Sequence, residues 1–341
     1  MKNFLILSSL FILIGCKKET NMYKCKGIPD TNQAFSYMYF KTEKEGYLFG
    51  TLTNYEDLTE KELQDPNNIP RSSDEANIYK TTDGGKNWIK TGSTLNFSYH
   101  NIATNYNNDV YILRSDVRED FKFNIIQFST SNGEVKNLIN TRPISSIWND
   151  NKKVFFTNNR SNINLYLLES GQIIDSVCIK DYALFGLSLK NKSYAIFSNK
   201  EKVYFGNINK TSVEIKLPII PKNIVKQDEN KILIAGNTIT NENEISLVSY
   251  DVNTTQTEII NKFKTYSIIE NLQSNDKAII GFIGNIKGAF TEYDLLCSLD
   301  KGKTWQIQKL EEPNYVRPSC LIDNIVYIYS GGARIQKIVL D

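Results

Sequence analysis

Ser298, Asp300, Gly302, Thr304 and Trp305 fall at regular spacing in the stretch CSLDKGKTWQIQ, where a hydroxyl two residues from a carboxylate is a minimal pairing for proton transfer. The rest of a catalytic set does not accompany it. His100, the single histidine, lies in NFSYHNIAT, an alternating stretch that reads as a packed strand, and no G-x-S-x-G surrounds a serine. H-E-x-x-H, the phosphate-binding lysine loop and G-x-G-x-x-G are all missing, and no D-x-D-x-D-G loop offers a calcium site. Cys25, Cys178, Cys297 and Cys320 show no C-x-x-C spacing, so they are read as buried thiols or disulfides rather than metal ligands. The expectation is a protein with no catalytic residue, no metal and no cofactor.

The elements that position these residues are strands. Nineteen Tyr, 17 Phe and many Ile and Val stand among Asn, Gly, Asp and Ser turn signals, a composition of sheets. One short apolar strand recurs, each time running into Gly, Ser or Asn: GYLFG from Gly46, VYILRS from Val110, VFFTNN from Val154, YAIFSN from Tyr194, ILIAGN from Ile232, AIIGFIGN from Ala278 and VYIYSGG from Val326. The spacing is about forty-odd residues, the period of a four-stranded propeller blade. In six units a second hairpin follows, among them ANIYKTTDGGKNWIKT and YDLLCSLDKGKTWQIQKL. The seventh has only ARIQKIVL, one strand short, and MYKCKGIP from Met22 is a segment able to supply the missing outer strand. The sequence predicts an all-β propeller of seven four-stranded blades, closed by an N-terminal strand.

The Ser298 to Trp305 stretch sits in the turn between the third and fourth strands of its unit, and Thr81, Asp83, Gly85 and Trp88 occupy the same turn of the first unit. These two stretches resemble the Asp-box, or BNR repeat, of sialidases, sortilin-type receptors and photosystem II assembly-factor propellers. SLDKGKTW matches throughout; the earlier copy has Thr81 for Ser and Asn87 for Thr, and Ser131-Asn132-Gly133 is a trace of another. The resemblance implies a propeller with these residues as structural punctuation. Six blades, as in sialidases, would require merging or discarding one unit. Sialidase chemistry does not carry over, because its Arg-Ile-Pro strand motif is matched here only by Ile69-Pro70-Arg71, in reversed order.

Function is then expected on the loops opposite the Asp-box turns. The first unit carries its longest insertion there, Leu52 to Glu75, with Thr59 and Glu62 spaced as a capping box for a short helix. Arg71, Arg114, Arg118, Arg142, Arg160 and Arg317 are assigned to positions in or beside loops of the same end, and guanidinium forks suit carboxylate, sulfate or phosphate. They form a candidate face for an anionic ligand or a partner. A net charge of +2 without basic blocks excludes a nucleic-acid stripe.

Met1-Lys2-Asn3, the apolar run Phe4 to Ile14 and then Gly15-Cys16 have the order of an export signal. Leu13-Ile14-Gly15-Cys16 resembles the bacterial lipoprotein box, which implies cleavage before Cys16 and acylation of its sulfur. Residues 1–15 are read as the signal peptide, 16–21 as a lipidated tether and 22–341 as the propeller domain. No Asp follows Cys16, which favours the outer membrane. The expected function is a lipid-anchored, non-catalytic binding module with an envelope protein or glycan as partner, contacting the membrane through its anchor alone. The alternative is a divergent sialidase-like glycoside hydrolase.

Overall fold

A computed structural model describes residues 20–29, 33–55, 72–116, 122–141, 144–149, 154–158, 163–169, 172–179, 182–189, 192–198, 203–207, 213–288, 290–314 and 316–341. Every regular element among them is a strand. After β1 (Thr20–Lys24), the chain builds one antiparallel sheet in chain order from β2 (Gln33–Phe40), β3 (Gly46–Tyr55), β4 (Ser72–Thr81) and β5 (Ile89–Leu95). The same order repeats in β6 (Phe97–Tyr106), β7 (Asp109–Asp116), β8 (Lys122–Ser129) and β9 (Val135–Thr141), then in β10 (Ile144–Asn149), β11 (Val154–Asn158), β12 (Ile163–Glu169) and β13 (Gln172–Ile179). Next come β14 (Tyr182–Leu189), β15 (Lys192–Ser198), β16 (Val203–Asn207) and β17 (Val213–Ile215), followed by β18 (Ile219–Lys226), β19 (Lys231–Thr238), β20 (Asn241–Asp251) and β21 (Thr257–Phe263). A sixth sheet holds β22 (Ile268–Ser274), β23 (Ile279–Lys287), β24 (Phe290–Ser298) and β25 (Gln306–Lys309). The last joins β26 (Ser319–Ile322), β27 (Ile325–Tyr329) and β28 (Arg334–Val339) to β1, whose Thr20 to Lys24 pair with Ile338 to Arg334.

The recurring apolar segment is the second strand of every sheet. Its pattern follows from position: Ile232 to Thr238 of β19 are buried on both faces, so apolar residues fill successive rather than alternate positions. The fourth strands are the opposite case, and β5 is mostly exposed. The core lies between sheets, face to face. One apolar cluster joins the fifth and sixth sheets through Leu233, Leu247, Ile269 and Leu296, and another joins the last to the first through Tyr327, Ile335, Phe40 and Trp88. Phe40 stacks on Tyr327 with ring centroids 3.9 Å apart. The first strands of successive sheets touch from β2 through β26, and β26 touches β2.

Strand polarity gives the molecule two ends. Connections from first to second and third to fourth strands lie at one, here the turn end; those from second to third strands, and onward to the next sheet, lie at the other, the loop end. Two boundaries differ from the sequence reading. β1 takes in Thr20 and Asn21, assigned to the tether, because both pair with β28. The insertion from Leu52 to Glu75 begins and ends as strand, with Leu52 opposite Glu75 and Tyr55 opposite Ser72. Thr59 and Glu62, the expected capping box, lie outside the described residues, as do residues 1–15, read as a signal peptide, and Cys16.

Candidate functional site

At the turn end, the two Asp-containing turns share one hydrogen-bond scheme. Asp300 Oδ1 accepts from the backbone N–H groups of Lys303 (3.0 Å) and Thr304 (2.9 Å) and from the Ser298 hydroxyl (2.8 Å), while Ser298 Oγ accepts from Gly302 N at 2.7 Å. Asp83 Oδ1 likewise accepts from Lys86 N, Asn87 N and the Thr81 hydroxyl, and Thr81 Oγ1 accepts from Gly85 N. The Asn87 amide takes the role of the Thr304 hydroxyl on the second carboxylate oxygen. Gly85 and Gly302 hold φ of 91° and 82°, open to glycine without strain, and each carbonyl accepts from the indole of Trp88 or Trp305. Burial acts to raise the pKa of Asp83 and Asp300, but the amide and hydroxyl donors outweigh it and hold both below the ordinary carboxylate value. Each carboxylate makes four hydrogen bonds within its own turn, three on Oδ1 and one on Oδ2, which fits a structural role. A third-to-fourth turn that the sequence reading passed over uses Asp251 similarly, accepting from Asn253 N and Thr254 N.

The first strands surround a central cavity of about 1050 Å³, lined from β2, β6, β18, β22 and β26. In six of the sheets the first strand carries a register shift against the second, at Phe35/Tyr37, Tyr99/Ala103, Ile144/Ser146, Ala183/Phe185, Pro221/Asn223 and Glu270/Gln273. Such bulges re-aim side chains. Here they turn polar groups toward the neighbouring sheet: Ser36 Oγ donates to Tyr99 O at 2.8 Å, and Asn271 Nδ2 donates to Ser319 Oγ at 2.7 Å. Asn149 Nδ2 bonds Thr104 Oγ1 and Asn105 O, and Gln273 both accepts from Leu321 N and donates to Ser319. The polar lining therefore serves first to join the sheets. Lys222 and Asn101 are exposed on the wall.

His100 sits in the β6 bulge, with Nε2 2.9 Å from Ser115 Oγ and its ring against Phe123. Burial lowers its pKa, favouring neutral imidazole. Among the described residues no carboxylate is bonded to it, so Ser115 and His100 are two members of a triad at most. Among the described residues, no group of three His, Cys, Asp or Glu has the geometry of a metal site, and no helix is long and apolar enough to cross a membrane. Cys25 and Cys320 are buried free thiols, and Cys297 is buried as well.

Two of the six candidate arginines are described, and they are not brought together. Arg114, 4% exposed, lies with its guanidinium carbon 3.9 Å from the Phe97 ring centroid and donates to Asn137 Oδ1 at 2.7 Å. One arm of its fork is bonded inside the second sheet while Nε is buried without a partner, because the alternation of β7 turns it into the packed side. Arg317 borders the central cavity and pairs with Glu270 at 3.2 Å. Arg71, Arg118, Arg142 and Arg160 lie outside the described residues. Arg334 pairs with Glu312 at 2.6 Å. Burial and the Glu270 carboxylate raise the pKa of Tyr293, which places a Tyr–Glu–Arg set in the seam between the sixth and last sheets. No motif marks that set, since its members come from two strands and a connection far apart in the chain.

The loop end also carries apolar side chains with nothing over them. Ile286 and Phe290 flank the β23–β24 hairpin tip at 67% and 66% exposure, and Ile239, 59% exposed, tips the neighbouring β19–β20 hairpin. Exposed apolar side chains occur at the turn end too, where Ile89 is 71% exposed, so those at the loop tips are a candidate contact surface and no more.

Comparison with solved structures fixes the architecture. The propeller domain of the Trilobed protease from Pyrococcus furiosus superposes at a TM-score of 0.61 with 12% identity, covering 90% of this chain and 95% of that one. The chain is a β-propeller. A virginiamycin B lyase from Staphylococcus aureus matches at a TM-score of 0.58 and 12% identity over 95% of this chain and all of that one. The WD40 domain of Neurospora crassa Pan2 matches at 0.55 and 9% identity, covering 93% and 95%. At such identities the likeness concerns the fold alone. No protein-family model matches the chain, and no curated protein matches it by sequence.

Proposed function

We propose that this propeller is a lipid-anchored, non-catalytic binding module of the bacterial envelope that holds a protein or glycan partner at its loop end, as an assembly factor or an immunity-type lipoprotein does. The observation that carries the reading is the pairing of exposed Ile239, Ile286 and Phe290 on loop tips with Asp turns whose carboxylates are consumed by structure. Leu13-Ile14-Gly15-Cys16 supports acylation of Cys16, with the outer membrane as the favoured location. Seven four-stranded sheets, the β26–β2 contact and the β1–β28 pairing support a ring of seven blades closed by the N-terminal strand. The two Asp turns support kinship with the Asp-box propellers. Solved propellers of this shape include protease and lyase domains as well as WD40 domains, so fold alone leaves the choice to the site.

Arg71, Arg118, Arg142, Arg160 and Arg317 are the arginines through which an anionic group on the partner is to be held, while Arg114 supports β9 from within. Affinity capture from envelope extract with residues 20–341 tests the reading. The native chain is expected to retain a partner that an Ile286→Ser, Phe290→Ser variant and an Arg71→Glu, Arg118→Glu variant lose. Equal capture by all three forms contradicts it.

A second reading, a divergent sialidase-like glycoside hydrolase, is favoured by Tyr293 beside Glu270 and Arg317. Against it, Tyr293 is only 9% exposed, and among the described residues one arginine, Arg317, stands there where the sialidase resemblance implies three. Hydrolysis of a fluorogenic sialoside that disappears in Glu270→Gln would establish it.

A further inference from the structure

We infer that the propeller stands on its membrane by the turn end, so that the loop end, with Ile239, Ile286 and Phe290, faces away from the bilayer. The inference rests on the lipid-anchor reading of Cys16 and adds to it the direction in which the chain leaves the fold.

That direction is set by the register of β1. Thr20 lies opposite Ile338 and Lys24 opposite Arg334 in an antiparallel pair. Thr20, the first residue of β1, therefore lies at the end of the pair where β28 runs out to Leu340 and Asp341. Those two residues border a cleft with Ser298, Asp300 and Thr304, the Asp turn of the sixth sheet. Thr20 itself is tied to the rim of that sheet, its hydroxyl oxygen accepting from Gln308 Nε2 at 3.1 Å. The chain thus leaves the fold at the outer edge of the turn end.

β1 is not free to swing the exit elsewhere. Five residues pair with β28, and Tyr23 Oη donates to Gly84 O, a turn-end carbonyl of the first sheet, at 2.5 Å. Its ring packs in the apolar cluster that joins the last sheet to the first. Only three residues, Lys17 to Glu19, separate Cys16 from Thr20. Fully extended, that span reaches ~14 Å. A strand of six residues such as β28 is itself ~20 Å long. The tether cannot carry the acyl chains past the fold to the loop end. A partner at the loop end therefore approaches from the aqueous side, and the exposed apolar tips are presented to a macromolecule rather than to the lipids that hold the anchor.

The test uses the full lipidated chain in vesicles of phosphatidylethanolamine and phosphatidylglycerol doped with a headgroup spin-labelled lipid. A bimane fluorophore is placed on Lys44→Cys, in the exposed β2–β3 connection at the turn end, or on Lys287→Cys, in the β23–β24 hairpin at the loop end. The buried thiols of Cys25, Cys297 and Cys320 are not expected to take the label, and the unsubstituted chain measures any background. With the two positions separated by about a strand length, quenching at position 44 is expected to exceed that at 287 by about twofold or more. Equal quenching, or stronger quenching at 287, in protein that floats with the vesicles overturns the orientation while leaving the anchor intact. If the chain does not float, or floats equally well as Cys16→Ser, the anchor reading fails and the orientation falls with it.

Discussion

At the scale of single residues, the chemistry that first draws attention is consumed by structure. Asp300 accepts two backbone amides and two hydroxyls, so Asp300→Ala leaves Lys303 N and Thr304 N without an acceptor. The expected loss is about 1–3 kcal/mol, the range for hydrogen bonds to a charged group, read as a lower midpoint in urea with an unchanged slope. Asp83 and Asp300 have depressed pKa values, so their contribution is complete above the unfolded carboxylate pKa and is lost as pH falls through the lower folded value. Below about pH 4 the stability gap between wild type and Asp300→Ala should therefore narrow. The thiols give a second residue-scale prediction. Burial pushes Cys25 up to about 12 and Cys320 up to about 11, so neither forms thiolate at neutral pH. Iodoacetamide should leave Cys25, Cys297 and Cys320 unmodified in the folded protein and modify all three in denaturant, as read by peptide mass spectrometry.

At the scale of elements, what the sequence disclosed was what burial imposes. The second strands stood out because both of their faces are covered, which forces runs such as Ile232 to Ala235. The Asp turns stood out because a carboxylate, a positive-φ glycine and an indole are needed at fixed offsets. The bulges of the first strands left no such trace. A bulge shifts pairing by one or two residues without changing composition, and Ser36, Lys222 and Asn271, which occupy bulges, have little in common as types. Arg114 lies beside the loop end, two residues before β7 stops, but faces inward, which a one-residue change of phase decides. Asn271 tests the bulges. It holds φ of 49° while donating to Ser319, so Asn271→Ala loses the inter-sheet bond and also strains the backbone, whereas Asn271→Gly loses the bond alone. Thermal melting should rank wild type above Gly and Gly above Ala, and an Ala variant as stable as wild type would remove the inter-sheet role.

At the scale of the molecule, the chain's first strand completes the sheet built by its last three, and so joins residues more than three hundred positions apart, as in the contact between Thr20 and Ile338. Deleting residues 20–24 exposes the β28 edge and opens the Tyr23 and Cys25 side of the cluster beneath it. The truncated chain is expected to be cleaved by protease first in the last and first sheets, a pattern that limited proteolysis with mass mapping resolves. In the proposed arrangement the same strand sends the anchor out at one end and leaves the loops at the other. The most direct test of that division places a photoactivatable benzoylphenylalanine in the full lipidated chain, at Phe290 on the loop end or at Lys44 on the turn end, and irradiates cells. The account predicts a discrete crosslinked macromolecule from position 290 and none from position 44. A specific protein or glycan adduct from position 44, with none from 290, would contradict it.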